Sequence, residues 1–522
     1  MKRFLTVILA AMLACSAFVF ASCKQNTGSE VISGGTGENG ELEIVCRDAG
    51  YGLDWLRNIA RAFSEQYDVN VTIDKSTNSG PDISLVLDGQ SPYDIVMTVG
   101  SQHRAIDEGM VEDLTDTVYN KVPKGEEKTV ADKMDQNYYN RLLRDDGKIY
   151  NMNWCNSVSG IFYNQTMLDK YLDEWELPNT TTELMTLCDR VKGENQYAFS
   201  LSTGSAYWDY MTYVWAAQYC GVQTYFDYYD IVYRDAEGKA HTAEEYDDLA
   251  AANEARALVL EFESQLLNSA NGYVHKQAKS MDYLQSQIAF AGNGFRTDKT
   301  ECAFIVSGDW MENELAQYLA KNPQTIGYMP TPVFSGIVAV LDDNTMKDSE
   351  LSELVGFIDA DMSLEDIRKE EGWSDLTQHD YDKIAQARNM AYVATMDHMV
   401  TVPTTAKNKE NAYNFLVFLA SDQAGKIYAD ALEGRSLIYG YTPDTSQSSF
   451  FTQTTVAAIE DCEPVYVDYS SPYVYLGGFR YIAVDNRYLN MYDGIAASKI
   501  ESDICAHWVK NWPTILESGL KK

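Results

Sequence analysis

Positive charge is scarce in this chain of 522 residues, which has 41 Lys and Arg residues against 77 Asp and Glu residues and a formal net charge of −36. Proteins that bind nucleic acid or anionic lipid need clustered Lys and Arg side chains, so we expect neither kind of partner. The acidic surface favours solubility, but it does not indicate the charge of a ligand.

Short enzyme and metal motifs are also missing. The six histidines are isolated and form no H-E-x-x-H pair, and the chain has neither a G-x-S-x-G elbow nor a Walker A loop. No C-x-x-C pair occurs, and the cysteines beyond residue 23 are scattered and odd in number, which predicts neither a zinc site nor a disulfide framework. We therefore expect no cofactor, no metal and no catalytic residue.

Two partial motifs lack the context that they need. Residues 35–40 match the dinucleotide fingerprint G-x-G-x-x-G, but they precede the first expected strand instead of following it. Asp359, Asp361, Ser363 and Glu370 match part of a calcium-binding EF-hand loop, but Leu364 replaces the glycine that its sharp turn requires. We expect a loop at the first position and a solvated acidic helix at the second.

The N-terminus predicts export. A short basic start is followed by the uncharged, mostly apolar run Phe4–Phe20 and by two small residues, so residues 1–22 are interpreted as a secretory signal peptide. Cys23 follows directly and resembles the acylated cysteine of a lipobox, although Phe20 stands where Leu is usual. Ordinary cleavage near Ser22 is the alternative. With lipidation, the protein is anchored to the outer face of the cell membrane, and it is periplasmic if the host has an outer membrane.

Residues 23–40 are predicted to form a lipidated flexible tether. Residues 24–40 are rich in Gly, Ser, Thr and Asn and contain almost no apolar side chain that could join a core.

The exported part opens as an alternating α/β unit. Residues 42–46 and 93–99 are strand-like, residues 69–73 alternate Val69, Val71 and Ile73, and the stretch from Leu53 to Tyr67 places apolar side chains at helical spacing. This order predicts a parallel sheet covered by helices, with ligand-binding loops at the carboxyl ends of the strands. The loops at residues 47–51 and 100–102 are therefore candidate parts of a site.

Four segments together resemble the extracellular solute-binding proteins of ABC importers, in the sugar-binding branch known as family 1. They are the opening unit with DWLRNIARAFSEQY, VNVTI and YDIVMTVG; GKIYNMNW followed by GIFYNQTMLD; ECAFIVSGDWMENEL; and VPTTAKNKENAYNFLVFLASDQAGKIYAD. The resemblance spans residues 41–430 and is carried by the order and spacing of the segments. The acidic segment 341–388 has no obvious counterpart in the family.

The resemblance implies two α/β lobes of the periplasmic-binding-protein type, joined by a hinge and separated by a ligand cleft. On this basis, residues 41–157 and about 331–420 are assigned to lobe 1, and residues 158–330 and about 421–522 to lobe 2. Residues 329–332 are interpreted as a chain crossing between the lobes. The family delivers its ligand to the permease subunits of an ABC transporter without chemical change. We expect a monomer, because a closing cleft needs no second copy.

Sugars present polar edges and apolar faces, so their sites combine aromatic side chains with acids and amides. Trp310 matches the ligand-stacking Trp of the family, and Asp309 precedes it. Core packing or helix capping are the competing structural roles for these residues. The candidate ligand-binding residues are Tyr51, Ser101, Asn153, Trp154, Trp208, Asp309 and Trp310.

Two other functions fit the same sequence. Glycosidases carry no short signature around their carboxylates, so an exported glycan-active enzyme or a surface adhesin is the first alternative. A binding protein for a non-sugar solute, such as a peptide or a polyol, is the second.

Overall fold

Two β-sheets with helices packed on them form the two halves of the structure, a computed structural model that describes residues 29–144, 146–230, 254–293, 300–460, 462–482 and 484–520. The strands are β1 Glu30–Ile32, β2 Glu41–Arg47, β3 Asn70–Ser76, β4 Ile95–Val99, β5 Met152–Asn153, β6 Val158–Asn164, β7 Gln196–Ser200, β8 Glu301–Gly308, β9 Ile326–Tyr328, β10 Met390–Val393, β11 His398–Thr401 and β12 Glu463–Val465.

The helices cover both sheets. They are α1 Asp54–Tyr67, α2 Ser79–Leu87, α3 His103–Asp107, α4 Gln136–Leu142, α5 Gln165–Tyr171, α6 Thr181–Val191, α7 Asp209–Cys220, α8 Val222–Asp230, α9 Glu254–Leu267, α10 Tyr283–Ile288, α11 Met311–Leu319, α12 Asp348–Asp359, α13 Leu364–Glu370, α14 Gln378–Asn389, α15 Lys409–Leu419, α16 Asp422–Ala431, α17 Phe450–Glu460, α18 Pro472–Tyr475, α19 Arg487–Tyr492 and α20 Ala497–Leu520. None of these helices combines the length and the hydropathy that crossing a membrane requires.

Lobe 1 is built on the sheet β1-β3-β2-β4-β11-β5. Strands β2, β3 and β4 are parallel, as the alternation of strands and helices predicts, and β11 returns antiparallel to β4. Helix α1 buries Leu56, Ile59 and Phe63 against this sheet. Burial of each such side chain is worth about 1.5–3 kcal/mol.

Lobe 2 is built on the sheet β12-β10-β6-β8-β7, with β9 paired to β6. Strand β8 runs antiparallel to β6, so its last residue, Gly308, lies opposite Ser159, where β6 leaves the hinge. The turn after β8 is thereby placed at the boundary between the lobes. The predicted two-lobed α/β fold is confirmed.

Short segments carry the chain between the lobes. Residues 154–157 connect β5 to β6, residues 394–397 connect β10 to β11, and the chain crosses again between α16 and α17. The first two lie side by side, because the Ala394 N–H donates to the Ser157 carbonyl and the Ser157 N–H donates to Thr395 Oγ1. This pair of segments is called the hinge below.

Three predicted boundaries are wrong. Residues 329–332 do not cross, because the Met329 N–H donates to the Ile161 carbonyl of β6 and keeps this stretch in lobe 2. Residues 331–393, assigned to lobe 1, also belong to lobe 2, since α14 packs on α7, Gln218 of α7 donates to the Ala387 carbonyl and β10 pairs with β6. Residues 421–431, assigned to lobe 2, belong to lobe 1, because α16 packs on α1.

The acidic segment forms helices α12, α13 and α14 around a small core of its own. Two residues of the partial calcium motif have structural roles in it. Asp359 ends α12 and forms an ion pair with Arg388, and Ser363 caps α13 by accepting the N–H of Asp366.

The predicted tether is wrong for residues 30–40. Strand β1 pairs antiparallel with β3, and Ile32 is buried. The carboxylate of Asp68 accepts the backbone N–H groups of Thr36 and Gly37, so this glycine-rich loop binds a carboxylate of the chain itself. The signal peptide, Cys23 and the rest of the tether lie outside the described residues.

Candidate functional site

The cleft between the lobes has an aromatic wall contributed by lobe 2. Tyr207 stacks on Tyr210 with ring centroids 5.7 Å apart, and it contacts Trp310 at 6.0 Å and Tyr283 at 6.1 Å in edge-on geometry. Tyr207, Tyr210 and Trp310 are half-buried, and Tyr283 is exposed. Part of this wall is therefore accessible to a ligand.

Trp310 owes its position to two glycines. A Cβ atom at Gly308 would overlap the indole ring, so glycine at the end of β8 lets Trp310 lie back across the strand end. A Cβ atom at Gly50 of lobe 1 would overlap Trp310 from the other side. Trp310 accordingly packs against the hydrophobic clusters of both lobes.

A carboxylate lies at the hinge beside the aromatic wall. Asp397 is half-buried, and no donor in the described part of the chain lies within hydrogen-bond distance of its carboxylate. Burial raises the pKa of Asp397 to about 7, and the charge of Arg480 opposes this shift. The Asp397 charge in turn contributes to raising the pKa of Tyr210 and of Tyr469, for which burial is the larger cause. Tyr210, Tyr469 and Arg480 are therefore among the groups whose charges interact with this carboxylate.

Tyr51 and Asp309 lie where lobe 1 meets lobe 2. The Tyr51 hydroxyl donates to Asp309 Oδ1 at 2.5 Å and lies 2.7 Å from Ser157 Oγ. Tyr51 and Asp309, which are both predicted ligand-binding residues, are buried. Burial raises the pKa of Asp309, and the positive charge of Arg435 opposes this shift. The structure thus pairs two candidate ligand-binding residues with each other.

Asn153 and Ser101 lie beside the hinge. The Asn153 side-chain amide is buried and donates to the carbonyls of Thr395 and His398, so it fastens β5 to the second hinge segment. Ser101 is half-buried, and its hydroxyl accepts the N–H of His103 at the start of α3. The preceding Gly100 N–H donates to the Asp397 carbonyl, which places this loop at the hinge end of the cleft.

The remaining two candidates are packed inside the lobes. Trp208 is only 1% exposed and contacts Phe199 and Trp215, so it packs in the core of lobe 2 in this arrangement. Trp154 is 5% exposed and stacks on Trp55 in lobe 1, at a centroid distance of 4.6 Å.

Several residues of the cleft were not predicted from the sequence. Trp208 was the predicted residue of its stretch, whereas the half-buried aromatic side chains there are Tyr207 and Tyr210. Asp397 gave no signal because acids are abundant in this chain. The cleft residues that were missed are Tyr207, Tyr210, Tyr283, Asp397, Tyr469 and Arg480.

One further group of possible metal ligands lies in the acidic segment. Oxygen or nitrogen atoms of Asp342, His379 and Asp380 lie within 4.8 Å of one another. The Asp380 carboxylate already accepts the N–H groups of Asp342 and Asp343, so it acts as a cap for this turn.

The sequence profile of the bacterial extracellular solute-binding proteins matches residues 49–348 of the chain. The match covers more than half of the 522 residues, and the chain therefore belongs to this family of exported binding proteins. A search of curated protein sequences gave no match.

Solved structures of this fold are similar over almost their full length. The SBP RafE in complex with raffinose has 16% identity and a TM-score of 0.58, with 90% of this chain and 99% of that chain covered. A chitin oligosaccharide binding protein has 14% identity and a TM-score of 0.55, with coverage of 90% and 99%. The GacH receptor of Streptomyces glaucescens GLA.O, studied unliganded and with acarbose, has 15% identity and a TM-score of 0.57, with coverage of 92% and 98%.

Proposed function

We propose that this binding protein takes up a sugar or an oligosaccharide between its lobes and delivers it to an ABC transporter permease. The observation that carries the proposal is an accessible aromatic wall next to a half-buried carboxylate without a partner. Aromatic faces fit the C–H faces of sugar rings, and a carboxylate accepts strong hydrogen bonds from hydroxyl groups. The printed ligands of the similar structures, raffinose and chitin oligosaccharide among them, support the same class.

Within this proposal, different groups have different tasks. Trp310, Tyr207 and Tyr210 form stacking surfaces for the sugar rings. Asp397 accepts hydrogen bonds from sugar hydroxyls, and the positively charged Arg480 donates hydrogen bonds to ring or hydroxyl oxygens. Ser101 contributes a polar contact from lobe 1, since its loop is joined to the hinge through Gly100.

The same proposal includes the location of the protein. Acylation at Cys23 anchors it to the outer face of the cell membrane, where a monomer with a closing cleft presents its ligand to the permease. The composition of the N-terminal segment supports this, and labelling with a fatty acid, lost in Cys23→Ala, tests it.

The central experiment is a thermal-shift screen of the exported chain with raffinose, chito-oligosaccharides, acarbose, peptides and polyols. A ligand at a hundred times its Kd adds about 2.7 kcal/mol to the stability of the folded state. We expect a shift with one sugar class that is lost in Trp310→Ala. Trp175→Ala is the matched control, because Trp175 is also half-buried in lobe 2 but bonds to Asp169.

Other outcomes would change the assignment. A shift with peptides or polyols alone would keep the binding class and replace the ligand. Products formed from a glycan during long incubation, and lost on changing one carboxylate, would replace the binding function by catalysis.

A further inference from the structure

The loop after β2 docks on the start of α11 across the boundary between the lobes. Besides the bond from Tyr51 to Asp309, Asn313 Nδ2 donates to the Gly50 carbonyl at 2.5 Å. Gly50 lies directly against Trp310, with no space for a Cβ atom. Residues 50–51 of lobe 1 and residues 309–313 of lobe 2 thus form one interlobe contact, which we call the clasp.

The carboxylate in the clasp already has partners within the protein. Asp309 Oδ1 accepts the Tyr51 hydroxyl and the Ser157 hydroxyl, the latter at 2.8 Å, and Oδ2 lies 3.8 Å from Arg435 Nε. Asp309 is 1% exposed and Tyr51 is 5% exposed. Neither polar group is therefore free to meet a ligand when the lobes have this arrangement.

Of the three contacts to the Asp309 carboxylate, separation of the lobes would break only the one from Tyr51. Ser157 belongs to the hinge, and Arg435 lies on the last crossing between the lobes and also donates to the Asp309 carbonyl, so neither contact depends on the loop that carries Tyr51. Tyr51 is the partner that lobe 1 alone supplies. The bond from Tyr51 to Asp309 would therefore be lost if the lobes separated.

We propose that Tyr51 and Asp309 are positioning residues that stabilise the closed arrangement without touching the ligand. This rests on the proposed function, because closure is what retains a solute in the cleft. The clasp contributes the same favourable free energy to closure whatever the ligand is. If the ligand-free protein is mostly open, this free energy strengthens the binding of every ligand by the same factor. If the ligand-free protein is mostly closed, the clasp instead keeps it compact.

The test compares Tyr51→Phe with Tyr273→Phe. Tyr273 is a similarly buried tyrosine that donates to a carboxylate, Asp189, but both partners lie within lobe 2. Titration calorimetry with each sugar that binds, and small-angle scattering of the free chain, are measured for both variants. We expect Tyr51→Phe to weaken all sugars by one common factor of about tenfold to a hundredfold, or else to enlarge the free chain. Tyr273→Phe should do neither.

Gly50→Ala is a second variant that should prevent the clasp from forming. The added methyl group overlaps Trp310 and should open the clasp more strongly than loss of the hydroxyl, whereas Gly356→Ala meets only Asn179 Nδ2 at 3.9 Å and is the control. A change in the ranking of the sugars on Tyr51→Phe would overturn the proposal, since it would make Tyr51 a ligand contact.

The proposal would also be overturned if Tyr51→Phe changed neither the sugar affinity nor the compactness of the free chain relative to its control. If no sugar binds the wild type, the proposed function fails first, and the scattering comparison then decides the clasp alone.

Discussion

Arg435 donates through Nη2 to Glu312 Oε2 at 2.8 Å, with the guanidinium only 4–5% exposed. Arg435 follows α16 of lobe 1, and Glu312 lies in the first turn of α11 of lobe 2. The same carboxylate accepts the hydroxyls of Ser449 and Thr452, where the chain enters lobe 2 again. This buried pair therefore joins the last crossing to the turn that carries Asp309.

Arg435→Met should destabilise the folded protein strongly. Removal of one member of a buried ion pair leaves the other charge without compensation, which typically costs about 3–5 kcal/mol. Chemical denaturation should show a lower free energy of unfolding, and Arg435→Met combined with Glu312→Gln should recover part of the loss. Lys426→Met, which breaks an exposed pair with Asp430, should have a much smaller effect. Equal effects of the two single variants would contradict this account.

A buried glutamate in lobe 2 should make stability depend on pH. Glu263 Oε1 accepts the Thr212 hydroxyl at 2.6 Å, while Oε2 has no partner among the described residues. Burial raises the pKa of Glu263 from its ordinary value of 4.5 to about 8. Between these values the unfolded chain releases a proton that the folded chain keeps, so stability should fall by up to about 1.4 kcal/mol per pH unit as pH rises.

Glu263→Gln should remove this contribution. The variant should be more stable than the wild type at pH 8, and the difference should shrink towards pH 4.5, where Glu263 is protonated in both states. Denaturation midpoints across this range provide the measurement. Glu261→Gln, an exposed position in the same helix, is the control. Parallel pH profiles for wild type and Glu263→Gln would show that the carboxyl is not buried in this way.

The local elements of lobe 1 could be predicted because their signals are local. The spacing of Leu56, Ile59 and Phe63 depends only on helix geometry, and the alternation of Val71 and Ile73 only on that of a strand. The lobe assignment of residues 331–393 and 421–431 depends on contacts with distant segments, such as that of Gln218 with Ala387. No periodicity within the segment contains that information.

The cleft was harder to predict than the fold for the same reason. Successive helix residues point about 100° apart, so Trp208 and Tyr210 face different directions at the start of α7. Because aromatic side chains occur on several faces of this helix, no periodicity in the sequence distinguishes the accessible one. The pairing of Tyr51 with Asp309 joins residues 258 positions apart and became visible only in three dimensions.

Removal of residues 29–40 should destabilise lobe 1, although the composition of this segment is that of a linker. Strand β1 covers the edge of β3 and buries Ile32, a contribution of about 1.5–3 kcal/mol. A chain that starts at Glu41 should therefore melt at a lower temperature than one that starts at Ser29. Ile32→Ser in the longer chain should reproduce most of the loss, and Val31→Ser, at an exposed position, should not. Identical melting curves for the two chains would mean that β1 adds no stability.

Asp397 should make ligand affinity depend on pH. The pKa of its carboxyl is raised to about 7 in the ligand-free cleft, and sugar hydroxyls that donate to it favour the ionised form. Affinity should therefore rise as pH increases from about 5 to 7 and level off above this range. Calorimetry at several pH values should show the slope for the wild type, and a weaker, flat profile for Asp397→Asn, with a loss of about tenfold to a hundredfold at pH 8. Asp430→Asn, on the exposed face of α16, should keep the wild-type profile. A slope that survives in Asp397→Asn would assign the titration to another group and remove Asp397 from the site.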